Sequence, residues 1–546
     1  MRAALFRVLL SLAVALPGTA TLWADTYPRQ AGVDAVHYVF RITLRDDTDE
    51  IDGETTATLR FDRPGRTEVT LDLATTGAGT GMTVSAVRSG EAPLRFTHAA
   101  HRLVITLPSP STAGQRLDVT VRYRGTPASG LRIGPNKYNE RTFFALNWPD
   151  KAREWLPVID HPSDKATSEF IVTAPSAYQV VANGLLLEEL DLEPGVRRTH
   201  WKQSVPISTW LNAIGVARFA SHHAGSVNGI PIATWVYPQD RDAGYRDFER
   251  VTRQVLAYFD EHIGPYPYEK LANVEAAGLG GGTEHASAIF YGEKSVTGAE
   301  RIDRLVAHEI AHQWFGNAVT ERDWDDVWLS EGFATYFTLL FVEHAQGRDA
   351  FVDGLKRSRQ SVVDFERKTP GYRIVHDNLA DMSRVLSGQI YQKGGWTLHM
   401  LRGLIGAETF WTGIREYYRR YRDANASTDD FRAVMEEVSH TELRWFFDQW
   451  LTRGETPRLD GGWRYDAAAR QVIVDLAQMQ SGDPFRLPLE LAIDVVGAEP
   501  RVEPRIEKVE LRDRRHTFTF ASDTAPTAVT LDPRVSALMS ATFVKR

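Results

Sequence analysis

Two histidines four positions apart, in the run His308-Glu309-Ile310-Ala311-His312, put two imidazoles on one face of a helix, where both reach a single small cation. Glu309 lies about 100° round the helix from His308. It flanks that cation without having to bind it and is free to take a proton from water that the cation activates. A catalytic zinc takes three protein ligands and keeps its fourth position open. Glu331, in Trp328-Leu329-Ser330-Glu331-Gly332, is the natural third ligand. It falls near the start of an apolar-rich segment, Asp325 to Phe341, that the spacing predicts as a second helix facing the first. The chemistry these four residues offer is hydrolysis with one zinc ion per chain.

Positioning such a site takes a large scaffold, and the chain of 546 residues is long enough for several cored domains. From about Val36 to Arg124 apolar residues alternate, as in Tyr38, Phe40, Ile42 and Leu44 and again in Leu117, Val119, Val121 and Tyr123. The period turns helical after Tyr237-Pro238, where Tyr245, Phe248, Val251, Val255 and Phe259 form a stripe that Gly264-Pro265 stops. Further helix starts are predicted at Asp349 and at Ser427-Thr428-Asp429-Asp430. Alternation returns after Gly454-Glu455-Thr456-Pro457, in Val472, Val474 and Leu476 and in Leu489, Leu491 and Ile493. The expected division is a signal peptide at 1–24, a β domain at 25–237, a zinc-site domain at 238–453 and a β-sandwich at 454–546.

Composition narrows the compartment and the partners. Arg2 and Arg7 precede an apolar run from Val8 to Leu16 and small residues at Gly18, Thr19 and Ala20, the outline of a secretory signal cleaved after Ala20 or Ala24. The run is short for a bilayer span, so an uncleaved anchor is the minor reading and no stable membrane insertion is expected after cleavage. The chain contains no cysteine, so an exported form folds without disulfides, as suits a bacterial periplasmic or secreted protein. Net charge is −8 with no basic run, which argues against a nucleic-acid partner. Oligomeric state is not legible from the sequence.

The separated motifs, in their order, resemble the M1 (gluzincin) aminopeptidases. His308 to Asn317 (HEIAHQWFGN) and Trp328 to Ala334 (WLSEGFA) are similar to that family's zinc signature. Gly281-Gly282-Thr283-Glu284-His285 stands where the family carries Gly-x-Met-Glu-Asn, and Tyr391-Gln392-Lys393-Gly394 looks like its Tyr-x-Lys-Gly segment. Arg153 to Thr167 and Leu531 to Met539 resemble stretches of its N-terminal and small β-sandwich domains. The fold implied is multidomain α+β: an N-terminal antiparallel β saddle, a thermolysin-like catalytic domain and a C-terminal β-sandwich. The family's large helical C-terminal domain is expected to be absent, with a correspondingly more open cleft.

The resemblance implies an aminopeptidase acting on peptides with a free N-terminus. Zinc would be held by His308, His312 and Glu331, with Glu309 as general base. Tyr391 would donate to the oxyanion, and Glu284 would pair with the substrate's α-ammonium and so set the distance to the scissile bond. Gly281 and Gly282 would give backbone clearance for an extended peptide. Thr283 and His285 depart from the family's methionine and asparagine, which leaves the shape of the pocket for the first residue open. The glutamine that many members use to bind the substrate amine is missing from Phe143 to Pro149, where Asn147 either replaces it or belongs to a turn. Two other readings stand beside this one: a zinc endopeptidase or oligopeptidase with an open cleft, and a non-catalytic binding protein of the same fold.

Overall fold

The structure is a computed structural model and describes residues 25–494 and 504–546. The expected signal peptide lies outside the described residues. The first body is an eight-stranded sheet in the spatial order Leu185–Glu193, Val196–Ser208, Lys165–Pro175, Val33–Thr43, Ile51–Phe61, Arg116–Thr126, Gly81–Ser89 and Ala92–Pro93. Its central strands alternate strictly between buried and half-buried positions along Ile51–Phe61 and Lys165–Pro175, the period-two pattern of a sheet with one face on a core. One pair departs from the expected antiparallel pattern: Val33–Thr43 runs parallel to Lys165–Pro175. A parallel neighbour requires a long crossover, and here the chain between the two contributes several other strands before it returns.

A four-stranded sheet, Gln179–Ala182, Ile214–Ala217, Arg141–Leu146 and Gly130–Pro135, lies in this half of the molecule and shares its core through Phe143, Phe144, Val180 and Val216. A five-stranded sheet follows in the order Ala220–Val227, Ile230–Val236, Leu271–Ala276, Ala288–Gly292 and Gly282–Thr283. Its first two strands come from the segment that the sequence pattern groups with the N-terminal β domain, so the sheet runs across position 237. The short strand Gly282–Thr283 is its edge and pairs antiparallel with Ala288–Gly292.

Helices cover this sheet. α1 spans Arg241–His262 and buries Phe248, Val251, Val255 and Phe259 of the predicted stripe, with Tyr245 half-buried against the same core, before Gly264 turns the chain at φ 139°. α2 is Asp303–His312 and α3 is Trp328–Gln346. α3 is buried on almost every side from Trp328 to Val342, as a helix that is apolar all round must be. α4 spans Arg348–Lys368 and α5 spans Gly388–Ile405. α6, Ala407–Tyr421, leads to α7, Thr428–Ser439, whose predicted start is a complete capping box between Ser427 and Asp430. Among the described residues no helix is long and apolar enough to cross a membrane.

The chain ends in a four-stranded sheet, Arg515–Ala521, Gln471–Gln478, Arg458–Asp466 and Ser540–Lys545, and a three-stranded one, Arg505–Leu511, Leu487–Asp494 and Ala528–Leu531. Inward residues of both, among them Val472, Val474, Leu489 and Leu491, join one core with the helices.

The helix pair that carries the site is set by two glycines. A Cβ on Gly394 of α5 would stand 2.9 Å from the Cα of Gly332 on α3, and the converse distance is the same. Backbone cannot yield there as a flexible side chain would. Gly394→Ala is expected to cost about 1–3 kcal/mol by overpacking, whereas Gly403→Ala, in the same helix with open space around it, is expected to be neutral or to gain up to about 1 kcal/mol. Thermal melting of the two variants checks the contrast; equal melting points would remove the constraint assigned to the crossing.

Candidate metal centre and its cleft

α2 presents His308 and His312 one turn apart, and α3 brings Glu331 against them. His308 Nε2 is 3.1 Å from His312 Nε2, and each lies 3.3 Å from Glu331 Oε2. The three ligating atoms all fall within 4.8 Å of one another. His312 Nδ1 is 3.2 Å from the carbonyl oxygen of Phe315 and 3.1 Å from Ser330 Oγ. A carbonyl only accepts, so that contact places the proton on Nδ1 and leaves the Nε2 lone pair facing His308 and Glu331. Gly316, at φ 109°, makes the turn that returns the Phe315 carbonyl, and a Cβ there would collide with Ser330 Oγ.

Three lone-pair-bearing atoms at such separations repel unless a positive charge lies between them, and the surrounding charges show the same demand. Burial alone would lower the pKa of His312, but the neighbouring Glu284 and Glu331 outweigh it and push the pKa up to about 10. Burial alone would raise Glu331; the charge of His312 and hydrogen bonds from both histidines instead hold it well below the carboxylate range. Burial and the charge of His312 lower His308, so without metal the pair holds one proton at the place of the cation. Two imidazoles and one carboxylate suit zinc, with a position left over for substrate.

Glu309 is buried beside the triad, and burial together with Glu284 raises its pKa well above the ordinary range. Gly282 on the edge strand makes room for it: a Cβ there would collide with the Glu309 carboxylate. No atom lies within 4 Å of where a Cβ on Gly281 would stand, and the Gly281 carbonyl accepts from Gly292 N at 2.7 Å. Tyr391, on α5, donates from its hydroxyl to Glu331 Oε1 at 2.8 Å, with its ring stacked 6.0 Å from that of His308. In this state the phenol therefore serves a ligand carboxylate.

Glu284 is buried, and its carboxylate groups with Glu309 and His312. Burial is the main cause that raises its pKa. Its position is fixed through its backbone: Gln313 and Asn317 donate to the Glu284 carbonyl at 3.0 and 2.6 Å. These two amides, together with Ser330, are positioning residues to which the sequence reading gave no role. They were visible only as letters inside HEIAHQWFGN and WLSEG. His285 is buried, with Nε2 3.1 Å from the Ala145 carbonyl, and burial lowers its pKa to about 4, so the ring is neutral and ties the Glu284 loop to the N-terminal sheet. Asn147 takes no part in the cleft. Its Nδ2 donates to the Asn212 carbonyl at 2.7 Å and its Oδ1 accepts from Trp155 Nε1 at 2.8 Å, which leaves the turn reading.

These groups line a cleft of about 680 Å³ that holds Gly282, Glu284, His308, Glu309, Glu331 and Tyr391 together. The β half, the helix-covered sheet and this constellation define a protein built to hold zinc beside a buried carboxylate. The Peptidase M1 N-terminal domain matches residues 34–211 and the Peptidase family M1 domain matches residues 247–450; the chain belongs to peptidase family M1, with zinc as its cofactor. Human glutamyl aminopeptidase is 30% identical over 380 residues, 65% of this chain. Mouse endoplasmic reticulum aminopeptidase 1 is 25% identical over 482 residues, 82% of this chain and 51% of its own. The solved M1 zinc metallopeptidase of Deinococcus radiodurans has a TM-score of 0.68 at 25% identity and covers 78% of this chain and 95% of that one. The chain spans 38% of the length of the human relative.

Zinc uptake must displace the proton that His312 holds. A ligand with a pKa of about 10 is protonated across neutrality in the metal-free state, so apparent zinc affinity is expected to rise about tenfold per pH unit from pH 6 to 8. Competition against a chromophoric chelator at several pH values measures the slope; a flat profile would contradict the proton assignment.

Proposed function

We propose that the chain is a zinc aminopeptidase that releases residues one at a time from the N-terminus of peptides. The observation that carries this reading is the buried Glu284 carboxylate, which lines the cleft and groups with Glu309 and the ligand His312. A carboxylate so placed pairs with an α-ammonium and fixes the distance from the free amine to the reacting carbonyl. Names of relatives support the same reading: glutamyl aminopeptidase, endoplasmic reticulum aminopeptidase 1, and a Deinococcus radiodurans M1 zinc metallopeptidase mutant bound to a Tyr-Ser-Ala substrate.

Bound zinc supplies Lewis acidity, which acidifies water and polarises the scissile carbonyl. Glu309 takes the proton from that water and returns it to the leaving amine. Tyr391 turns its phenol from Glu331 Oε1 to the developing oxyanion. The edge strand Gly282–Thr283 offers its free side to an extended peptide, and Gly281 leaves space for it.

Matched peptides with free and acetylated N-termini, on zinc-loaded protein with a chelator control, test this reading. Only the free-amine peptides should be cleaved. Glu284→Ala should harm their cleavage far more than any residual cleavage of blocked ones, and Glu309→Gln should keep zinc yet lose at least about 100-fold in kcat. Cleavage of the acetylated peptides at internal bonds would replace the aminopeptidase by an endopeptidase on the same site.

Export to the periplasm or medium is also proposed, supported by residues 1–24 and the lack of cysteine. N-terminal sequencing of the protein from cell fractions should give a chain starting after Ala20 or Ala24; an intact Met1 in the cytoplasm would overturn it.

A further inference from the structure

Two arginines line the metal cleft and were assigned nothing by the sequence: Arg304 on α2 and Arg357 on α4. Arg304 stands one turn before His308, whereas the Glu284 loop is bound at the other end of the same helix through Gln313 and Asn317. At 1.5 Å per residue, Arg304 and Gln313 are about 13 Å apart along the helix axis, with both histidines between them. A substrate whose amine sits at Glu284 and whose scissile bond lies at the metal therefore points its leaving portion towards Arg304.

The two guanidinium groups share this wall. A Cβ on Gly354 of α4 would stand 3.6 Å from Arg304 Nη1, so the Arg304 head lies over α4 at Gly354. Arg357 follows on the same face of α4, one turn on. Burial and the charge of Arg357 lower the pKa of Arg304, as expected of a half-buried cation beside a like charge. Neither guanidinium has a hydrogen bond or ion pair to another residue among the described residues. The acidic neighbour of Arg304 in sequence, Asp303, is engaged by Arg250 instead. Two such cations facing a cleft without a counter-ion form a receptor for an anion, and their planar forks match the geometry of a carboxylate.

We propose that Arg304 and Arg357 form a subsite for a substrate carboxylate on the leaving side of the scissile bond. The enzyme then favours peptides with an acidic second or third residue, or short peptides whose own C-terminal carboxylate reaches the pair. This subsite rests on the aminopeptidase reading and deepens it.

The test uses the zinc-loaded full chain. Amidated tetrapeptides with N-terminal alanine carry Glu, Gln or Lys at the second or third position, which reads a side-chain carboxylate. Ala-Ala and Ala-Ala-Ala, as free acids and as amides, read a terminal one. Glu over Gln, or acid over amide, should be favoured by at least about tenfold in kcat/KM, chiefly through KM, the gain expected of charge-assisted hydrogen bonds. Arg304→Gln should bring that ratio towards one. Arg357→Glu, at an exposed position where folding should be spared, should turn the preference towards Lys; zinc content and melting temperature check that both variants are intact. Equal rates for Glu and Gln and for acid and amide, in a wild-type chain that does cleave free-amine peptides, would overturn the subsite alone. A chain that cleaves no free-amine peptide would overturn the functional reading and the subsite with it.

Discussion

Three acceptor atoms brought within 3.3 Å of one another form an arrangement that no apolar core tolerates without a cation, and much of the molecule is organised to hold them there. Ser330 and the Phe315 carbonyl fix the tautomer of His312. The Gly332–Gly394 contact lets α3 and α5 approach closely enough for Tyr391 to reach Glu331. The energy for this comes from elsewhere, from the large aromatic and aliphatic core in which α2, α3 and α5 are embedded. Metal binding then returns part of the cost of gathering like charges.

The N-terminal sheets act on the site through its loops. His285 binds Ala145, and Asn183 donates to the carbonyls of Leu211 and Ala286, so the residues that follow Glu284 are tied to the first half. Lys165 reaches across to donate to the carbonyls of Asn317 and Ala318, where the chain leaves α2. Burial lowers the pKa of this lysine to about 7, so its charge is retained at some expense, in exchange for fixing the loop that carries Asn317. Lys393, in the segment after Tyr391, does the same at the other boundary by donating to the Arg453 carbonyl. The β and helical halves are therefore not independent: the Glu284 loop is held from the helical side by Gln313 and Asn317 and from the β side through His285 and Ala286.

Charge is divided along the cleft. Glu284, Glu309 and Glu331 gather around the two histidines, and Arg304 and Arg357 line the same cleft on the side of α2 that precedes His308. In the aminopeptidase we propose, the positive amine of a peptide and its negative carboxylates would meet these two groups in that order.

Much of the site was legible in the sequence because its signals are local. The i, i+4 histidines, the adjacent glutamate and the carboxylate at the start of the next helix are properties of two short helices, and helical periodicity exposes them directly. The α1 stripe and the Ser427–Asp430 cap are local in the same way. What the tertiary structure decided depends on residues far apart in the chain. The parallel pairing of Val33–Thr43 with Lys165–Pro175 follows from a long crossover, and the sheet that crosses position 237 follows from which strand edge was free to pair. Asn147 was ambiguous because its partners, Trp155 and Asn212, are known only once the strands are packed. Arg304 and Arg357 lie on different helices, and only the close approach at Gly354 brings them together. Spacing along one element is written in the sequence; adjacency between elements exists only after the core has formed.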